Sequence, residues 1–554
     1  MRNGSARLFR VALAASLSVS ALLYFAWSWR WPLVGDASLI HYIGWLIERG
    51  WAPYRQIGDM NMPGSYLIEL AAMHLFGMGD LAWRLFDFTL MGAAGASFFV
   101  ITRRAGATQA DGWLAGLFAA CLFILVHGRD GLAEGGQRDL TMAVCLIVAT
   151  AFLFVAIRRD WQWAAAAFGL FSGVALTIKP TALPLTVAQL LLAGYVLRGR
   201  GRQGESPNRG WLRTTVAVIV GYLVAPGAAL IFLLRERALA AFFANLHGLV
   251  LYYSGLGHRP LGFLLLHSIS PLLPLVLLWL AVLALRRPCP SMNGERAGMD
   301  WERVALGWER AALGCGALFG LVSYLVQARG FPYYRYTLLA FLLPLMALDF
   351  TRAFNAQPVA KPSEPPVESQ STDLRARAGL VLAVIALSVG GFFLAPQSAV
   401  LIHRYRWWET DFIRSLEQNL DTLGGQRLSG HIQCIDTISG CGNVLYRMRL
   451  EPADGLLVDF PLFGADDVPF VRQTRERFFA AMNASPPQVL VVTSALYVDG
   501  PGDYRKLDRW PAFESFLADD YTLETEWRPS RTARWWSREE TPASYRIYVL
   551  RARH

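Results

Sequence analysis

Charge is what this 554-residue chain has least of. Asp, Glu, Lys and Arg make up 17% of it, against about a quarter in soluble domains. With 54% hydrophobic residues and a mean hydropathy of +0.32, a wholly soluble protein is excluded. Lysine is scarcer still: of 52 basic residues only Lys179, Lys361 and Lys506 are lysine, and the rest are arginine. That bias goes with a GC-rich genome and points to a bacterial source. Cysteine is down to six (Cys121, Cys145, Cys289, Cys315, Cys434 and Cys441), and none of them shows metal-ligand spacing.

What is present is long apolar runs, of the length a helix needs to cross a bilayer. They cover 11–27, 81–102, 112–126, 140–157, 161–178, 182–197, 214–234, 261–285, 311–326, 336–350 and 379–394, which predicts about eleven transmembrane helices. The first follows Arg2, Arg7 and Arg10, lacks a small-residue cleavage site and runs into Trp27, Trp29 and Trp31. It reads as a retained signal anchor with an interfacial aromatic belt. With the N-terminus in the cytoplasm, the basic segments 103–104, 158–159, 198–213, 286–310 and 352–377 all fall inside, as orientation by positive charge requires. The net charge of +10 is therefore a topology feature, and no nucleic-acid partner is expected.

An odd number of spans places the C-terminus outside. The expected organisation is a membrane body over 1–396 and a periplasmic α/β domain over 397–554. Within the body, 352–377 is a cytoplasmic linker, disordered by composition across its Pro-, Ser- and Glu-rich part 357–373. The first outer segment, 31–80, is far longer than a simple connection. It carries two stretches of helical spacing, 37–49 and 64–76, expected to lie in the membrane interface. A third outer segment, 235–260, is half apolar. In the C-terminal domain helices are expected at 411–423, 470–482 and 510–517, with strands at 455–460, 488–493, 521–527 and 544–550. Cys434 and Cys441 alone face an oxidising compartment in this topology, so they are a disulfide candidate, with two reduced thiols as the alternative. The domain shows no phosphate loop and no hydrolase triad.

The chemistry-bearing residues lie at the outer ends of the spans. Asp36 follows the first span, where partial desolvation raises a carboxylate's pKa and suits it as a base. It also reads as the N-cap of the helix after it. Asp59, in Gly58-Asp59-Met60-Asn61-Met62-Pro63-Gly64, is on local grounds a turn residue. The second outer segment, 127–139, holds Arg129, Asp130, Glu134, Arg138 and Asp139. These could bind a phosphate or a metal, or be solvated loop charges with Asp139 capping the next helix. Lys179 sits at an outer boundary, either snorkelling or meeting a lipid head group. Gln327–Tyr336 sets Arg329 and Arg335 among Tyr333 and Tyr334, a phosphate site or an ordinary aromatic belt.

Taken together these residues resemble the GT-C superfamily of membrane glycosyltransferases. The nearest branch is that of the protein O-mannosyltransferases and the bacterial aminoarabinose and lipopolysaccharide-core sugar transferases. The resemblance covers roughly 31–350. Asp36 matches the family's acidic residue after the first span, and Pro53-Tyr54-Arg55 matches the turn ending the helix that follows. Asp59 through Gly64 follows Asp-x-Lys-Pro-Pro-Gly, with Asn61 and Met62 departing from it. Gln327–Tyr334 follows the layout Gln-Gly-Lys-Gly-aromatic-x-Tyr-His, with Arg329 at the lysine and Tyr334 at the histidine.

The resemblance implies sugar transfer from a polyprenyl-phosphate-linked donor to a lipid, glycan or protein acceptor, with inversion. Asp36 would act as general base, and Asp59 would position the acceptor or help hold a metal. Arg129, Arg138, Lys179 and Arg329 would meet the lipid phosphate. No cofactor is implied beyond an optional divalent metal, for which the sequence offers no clean ligand set. The competing classes are a lipid or sugar transporter or flippase, and a non-catalytic assembly or sensor protein. A transporter would be expected to show internal repeats and charges within its spans.

Overall fold

The computed structural model describes residues 2–104, 109–201, 207–269, 272–285, 301–355, 378, 381–382, 384–385, 412–437, 439–497, 504–529 and 543–552. The chain divides into two compact units, each assembled from separated stretches. The first comprises Met1–Arg30, Arg84–Gly227 and Arg259–Ala399; the second comprises Trp31–Trp83, Ala228–His258 and Val400–His554.

The first unit is helical, because an apolar run with no water around it can satisfy its backbone only internally. Among the described residues of the whole chain, seven helices are long and apolar enough to cross a membrane. Shorter apolar helices at Arg10–Ala26, Gln162–Ile178 and Leu273–Ala284 stand where the sequence predicts three further spans. The expected span 379–394 lies largely outside the described residues, as do the linker 357–373 and Cys289.

Small residues set how closely these helices approach. A Cβ placed on Gly169 would stand 2.1 Å from the Val218 carbonyl oxygen, and one on Gly173 would stand 2.3 Å from that of Tyr222. The two glycines are four residues apart on helix Gln162–Ile178. They form the small-xxx-small contact that lets membrane helices touch backbone to backbone. At the basic end of the bundle Arg158 ties three helices together. Its Nε meets Glu309 at 2.7 Å, and its two terminal nitrogens donate to the carbonyls of Val100 and Ile101 at 2.9 and 3.1 Å.

The second unit joins the first outer segment to the C-terminal residues. Helix Gly35–Glu48 is buried over most of its circumference, including Ile40, His41, Tyr42, Ile43 and Leu46. Helix Pro63–Phe76 buries Tyr66, Glu69 and Met73. Both match predicted helices, but protein covers much of their surface. Asn443 Nδ2 donates to the Leu33 carbonyl at 2.9 Å, and the Tyr42 hydroxyl donates to that of Leu450 at 2.8 Å. Trp51 Nε1 donates to Glu451 at 3.0 Å, and the Gly58 N–H donates to the Gly455 carbonyl at 3.0 Å.

The C-terminal residues build one four-stranded sheet of order β1-β2-β4-β3: β1 (Ile432–Ile435), β2 (Val489–Thr493), β3 (Tyr521–Trp527) and β4 (Tyr545–Leu550). β1 and β2 pair parallel, and the other pairs are antiparallel. The expected strands at 488–493, 521–527 and 544–550 are present; the one at 455–460 is not. Its backbone groups go to other partners: Gly455 O accepts from Gly58, and Leu456 O accepts from Gln433 Nε2 at 3.0 Å. Cys434 in β1 and Cys441 at the start of helix Cys441–Met448 form a disulfide, with their Cα atoms 6.0 Å apart.

Candidate active site

Within the first unit, a polar cluster gathers around Lys179. Pro180 disfavours helical backbone in the residue before it, so helix Gln162–Ile178 ends and Lys179 turns extended (φ −156°). Its ammonium donates to both oxygens of Asp139 at 2.8 and 3.2 Å, and also to Gln327. It stands 4.2 Å from the ring centre of Tyr334, a cation–π contact. Arg329 reaches the Tyr334 hydroxyl at 3.5 Å. The charges of Arg138 and Arg329 both act on Lys179. The structure thus brings together Arg138, Asp139, Lys179, Arg329 and Tyr334 from three separate sequence segments. Tyr333 stacks on Phe331 and meets Tyr334 edge-on. Three cations thus gather around one carboxylate.

The second outer segment is not the solvated loop that was one reading of it. Helix Gln109–Asp130 runs through His127 and Arg129 to Asp130, a single turn Leu132–Glu134 follows, and the next helix starts at Arg138. Gln137, not Asp139, is the N-cap residue. The Asp130 side chain is buried in an ion pair with Arg335, and Glu134 is buried close enough for its charge to act on the same guanidinium. Arg129 is half-buried in the last turn of its helix.

Sequence reasoning passed over the group that holds this segment in place. Arg84, Asp87 and His127 are fully buried. Arg84 pairs with Asp87 at 3.0 Å and donates to the Tyr24 hydroxyl. Asp87 Oδ2 accepts from His127 Nε2 at 3.2 Å, while its Oδ1 accepts from the Gly136 N–H at 2.9 Å. His127 Nδ1 is 2.6 Å from the Tyr336 hydroxyl. With Nε2–H directed to the carboxylate, Nδ1 is left to accept a hydrogen bond from the Tyr336 hydroxyl. One carboxylate thereby fixes both ends of the 127–136 stretch. The available signal was Arg84 and Asp87, three apart at the start of an otherwise apolar run.

In the second unit, Asp36 lies in the first turn of helix Gly35–Glu48 and is partly exposed. The N-cap position belongs to Val34 and carries no side-chain cap bond, so the capping reading of Asp36 is corrected. Gly35 turns the chain into the helix at φ +58°, a conformation glycine adopts without penalty. Asp59 is 1% exposed. Its Oδ2 accepts from the Tyr66 hydroxyl at 2.7 Å and from both the backbone and side-chain nitrogens of Asn61. Its carbonyl accepts from Asn245 Nδ2 at 2.7 Å, and its Oδ1 is buried without a hydrogen bond. The Tyr54 hydroxyl closes the turn on the Asn61 carbonyl at 2.6 Å. His41 and Glu69 form a buried pair nearby in sequence that the sequence did not flag. Gly79 N–H donates to His41 Nε2 at 3.3 Å, which leaves Nδ1–H to face Glu69. Among the described residues no three His, Cys, Asp or Glu side chains gather as a metal site.

No protein-family model matches the chain, and no curated protein sequence matches it. Solved structures do. The chain is similar to ArnT from Cupriavidus metallidurans bound to undecaprenyl phosphate, with a TM-score of 0.54 at 13% identity, over 99% of this chain and 98% of that one. Against the apo state of ArnT the TM-score is 0.53 at 16% identity, with the same coverage. Against the archaeal oligosaccharyltransferase AglB from Archaeoglobus fulgidus, solved with an inhibitory peptide and a dolichol-phosphate, it is 0.51 at 12% identity, over 95% and 74% of the two chains. The chain has the GT-C fold. At these identities the likeness is one of fold, and it runs nearly end to end, through both units.

Proposed function

We propose that this chain is a membrane glycosyltransferase that moves a sugar from a polyprenyl-phosphate-linked donor to an acceptor on the extracytoplasmic side. The observation that carries this reading is the end-to-end likeness to a protein captured with undecaprenyl phosphate. The gathering of Arg138, Lys179 and Arg329 supports it in the chain's own residues. In this reading the protein sits in a bacterial inner membrane with its N-terminus in the cytoplasm, and 397–554 face the periplasm.

The acceptor hydroxyl oxygen attacks the anomeric carbon and forms the new C–O bond. The bond from that carbon to the lipid-phosphate oxygen breaks, its electron pair leaves with the phosphate, and the configuration inverts. Asp36 takes the hydroxyl proton. Lys179, Arg138 and Arg329 balance the charge that gathers on the departing phosphate, with Arg129 as a further contact. Asp59 orients the acceptor. The donor sugar is of the hexosyl or pentosyl class, and the acceptor a lipid, a glycan or a protein.

A deletion strain tests the reading. It is expected to accumulate a polyprenyl-phosphate sugar and to lack one envelope sugar modification, both read by mass spectrometry. Wild-type protein restores the modification. Asp36→Asn, inserted at equal level, restores it at a rate lower by about 10²- to 10⁴-fold, the usual contribution of a general base. Undiminished transfer by Asp36→Asn would remove Asp36 from the mechanism. A strain that accumulates the donor on the cytoplasmic side only would instead mark a flippase.

A further inference from the structure

In the second unit a run of hydrogen bonds leads from a buried histidine to the start of the helix that carries Asp36. His41 faces the buried Glu69 through Nδ1, and its Nε2 accepts the Gly79 N–H at 3.3 Å. A backbone N–H only donates, so Nε2 holds no proton here and the ring is neutral. The residue after Gly79, Asp80, accepts the Leu33 N–H on Oδ1 at 2.9 Å. Leu33 also gives its carbonyl to Asn443 Nδ2 at 2.9 Å, so both its backbone groups are taken. It stands three positions before Asp36, and the helix begins between them at Gly35. Gly79 itself sits at φ +111°, where a glycine backbone has little preference of its own. The Gly79–Asp80 corner is thus held by these bonds. It helps fix where helix Gly35–Glu48 starts, and His41 fixes the corner.

A proton added at Nε2 sets two donors against each other. The ring N–H and the Gly79 N–H then point at one another, and the corner must move to relieve them. Histidine is the side chain whose charge changes between about pH 5 and 8. The groups around this ring come from every element packed on it. Glu69 lies on helix Pro63–Phe76 and would pair with a charged ring. Tyr446, on helix Cys441–Met448, meets the ring edge-on at 4.9 Å, and the charges of Arg449, Asp80 and Glu69 all act on that tyrosine. On its own helix the nearest charged residues in sequence are Asp36 and Glu48.

We propose that His41 is a positioning residue for Asp36, acting through Gly79, Asp80 and Leu33, and that it makes transfer sensitive to acid. Neutral His41 holds the corner closed. Protonated His41 lets it open and loosens the start of the helix, so transfer falls. The effect on transfer rests on the transferase reading; the opening of the corner does not.

Hydrogen exchange of the full chain in detergent reads the corner directly, by mass spectrometry of the peptides covering Leu33 and Gly79, corrected for the intrinsic effect of pH. Between about pH 8 and about pH 5, wild-type protection of both peptides should fall about fivefold, the weight of one hydrogen bond. His41→Gln offers the Gly79 N–H an oxygen and does not titrate, so its protection should not change. Asp80→Ala, at an exposed position, should unprotect Leu33 at both pH values while Gly79 still responds to acid. Transfer is read by adding purified chain to membranes of the deletion strain, which supply donor and acceptor. The ratio of His41→Gln activity to wild-type activity should rise about fivefold as the pH falls. A purely structural histidine, or acid loss at Asp36 alone, would leave that ratio constant. Wild-type protection that ignores pH overturns the proposal whether or not the variant inserts, and so does a constant ratio. If the corner opens in acid only in the wild type, yet neither protein transfers sugar at any pH, the transferase reading fails and the acid-sensitive corner stands.

Discussion

At the residue scale, the first unit depends on charges placed where water is absent. Removing one member of a buried ion pair leaves the other uncompensated, at a cost of about 3–5 kcal/mol. Asp87 serves Arg84, His127 and the Gly136 backbone at once. Asp87→Asn keeps the shape but not the charge, so it should lower stability by about that amount, read as a drop in Tm of the solubilised protein. Lys179 differs in kind, because two further cations, Arg138 and Arg329, act on the same spot. In Lys179→Met, the charges of Arg138 and Arg329 remain close by to offset Asp139, so the fold should survive, as size-exclusion chromatography would show. Affinity for undecaprenyl phosphate should fall tenfold or more. Lys179→Arg should recover only part of it, since a planar guanidinium cannot follow the three directions the ammonium uses toward Asp139 and Gln327.

At the scale of elements, close helix contact rests on positions where a side chain has no room. Gly173→Leu would drive a branched side chain into the Tyr222 carbonyl, 2.3 Å from where its Cβ must go. Helix Gln162–Ile178 should then separate from its neighbour, with loss of folded yield in membranes; Val220→Leu on an exposed face of the same neighbour should be tolerated.

The spans were legible because a long apolar run has only one outcome in a bilayer, and the two helices of the first outer segment were legible from their spacing. The short strand β1 was not: four residues, with a buried Gln433, give too little alternation. Nor was the fate of 455–460, where the sequence is strand-like but the hydrogen-bonding groups are taken by Gln433 and Gly58. The cluster around Lys179 was legible residue by residue from its basic and aromatic types. What no local pattern could convey was which of these residues meet, since Asp139, Lys179 and Gln327 are joined only by the packing of three helices. The Asp87 group was missed for the same reason.

At the scale of the whole molecule, the sequence suggests a cut near residue 397, while the second unit draws on 31–83, 228–258 and 400–554 together. The two views differ in what a truncation does. If the C-terminal residues were a separable appendage, a chain ending at 399 would keep its first outer segment intact. In the structure, Leu33, Tyr42, Trp51 and Gly58 each bond a residue between 443 and 455. Buried Tyr42, Ile43 and Leu46 belong to one core with Leu416, Val444, Leu445, Val489 and Ile547. Truncation would therefore strip helix Gly35–Glu48 of the surface it is buried against and leave its backbone partners unsatisfied. The membrane helices of the first unit, which have their own core, should still insert. The expected result is a truncated protein that reaches the membrane, yet is cut by added protease within 31–83 where the full chain resists. Under the proposed function Asp36 and Asp59 act from that stretch, so transfer should fall to background. Supplying 400–554 as a separate polypeptide should restore protection, because the contacts are non-covalent. Protease resistance of 31–83 in the truncated chain would mean that the segment carries its own stability and that the boundary near 397 is a true domain border.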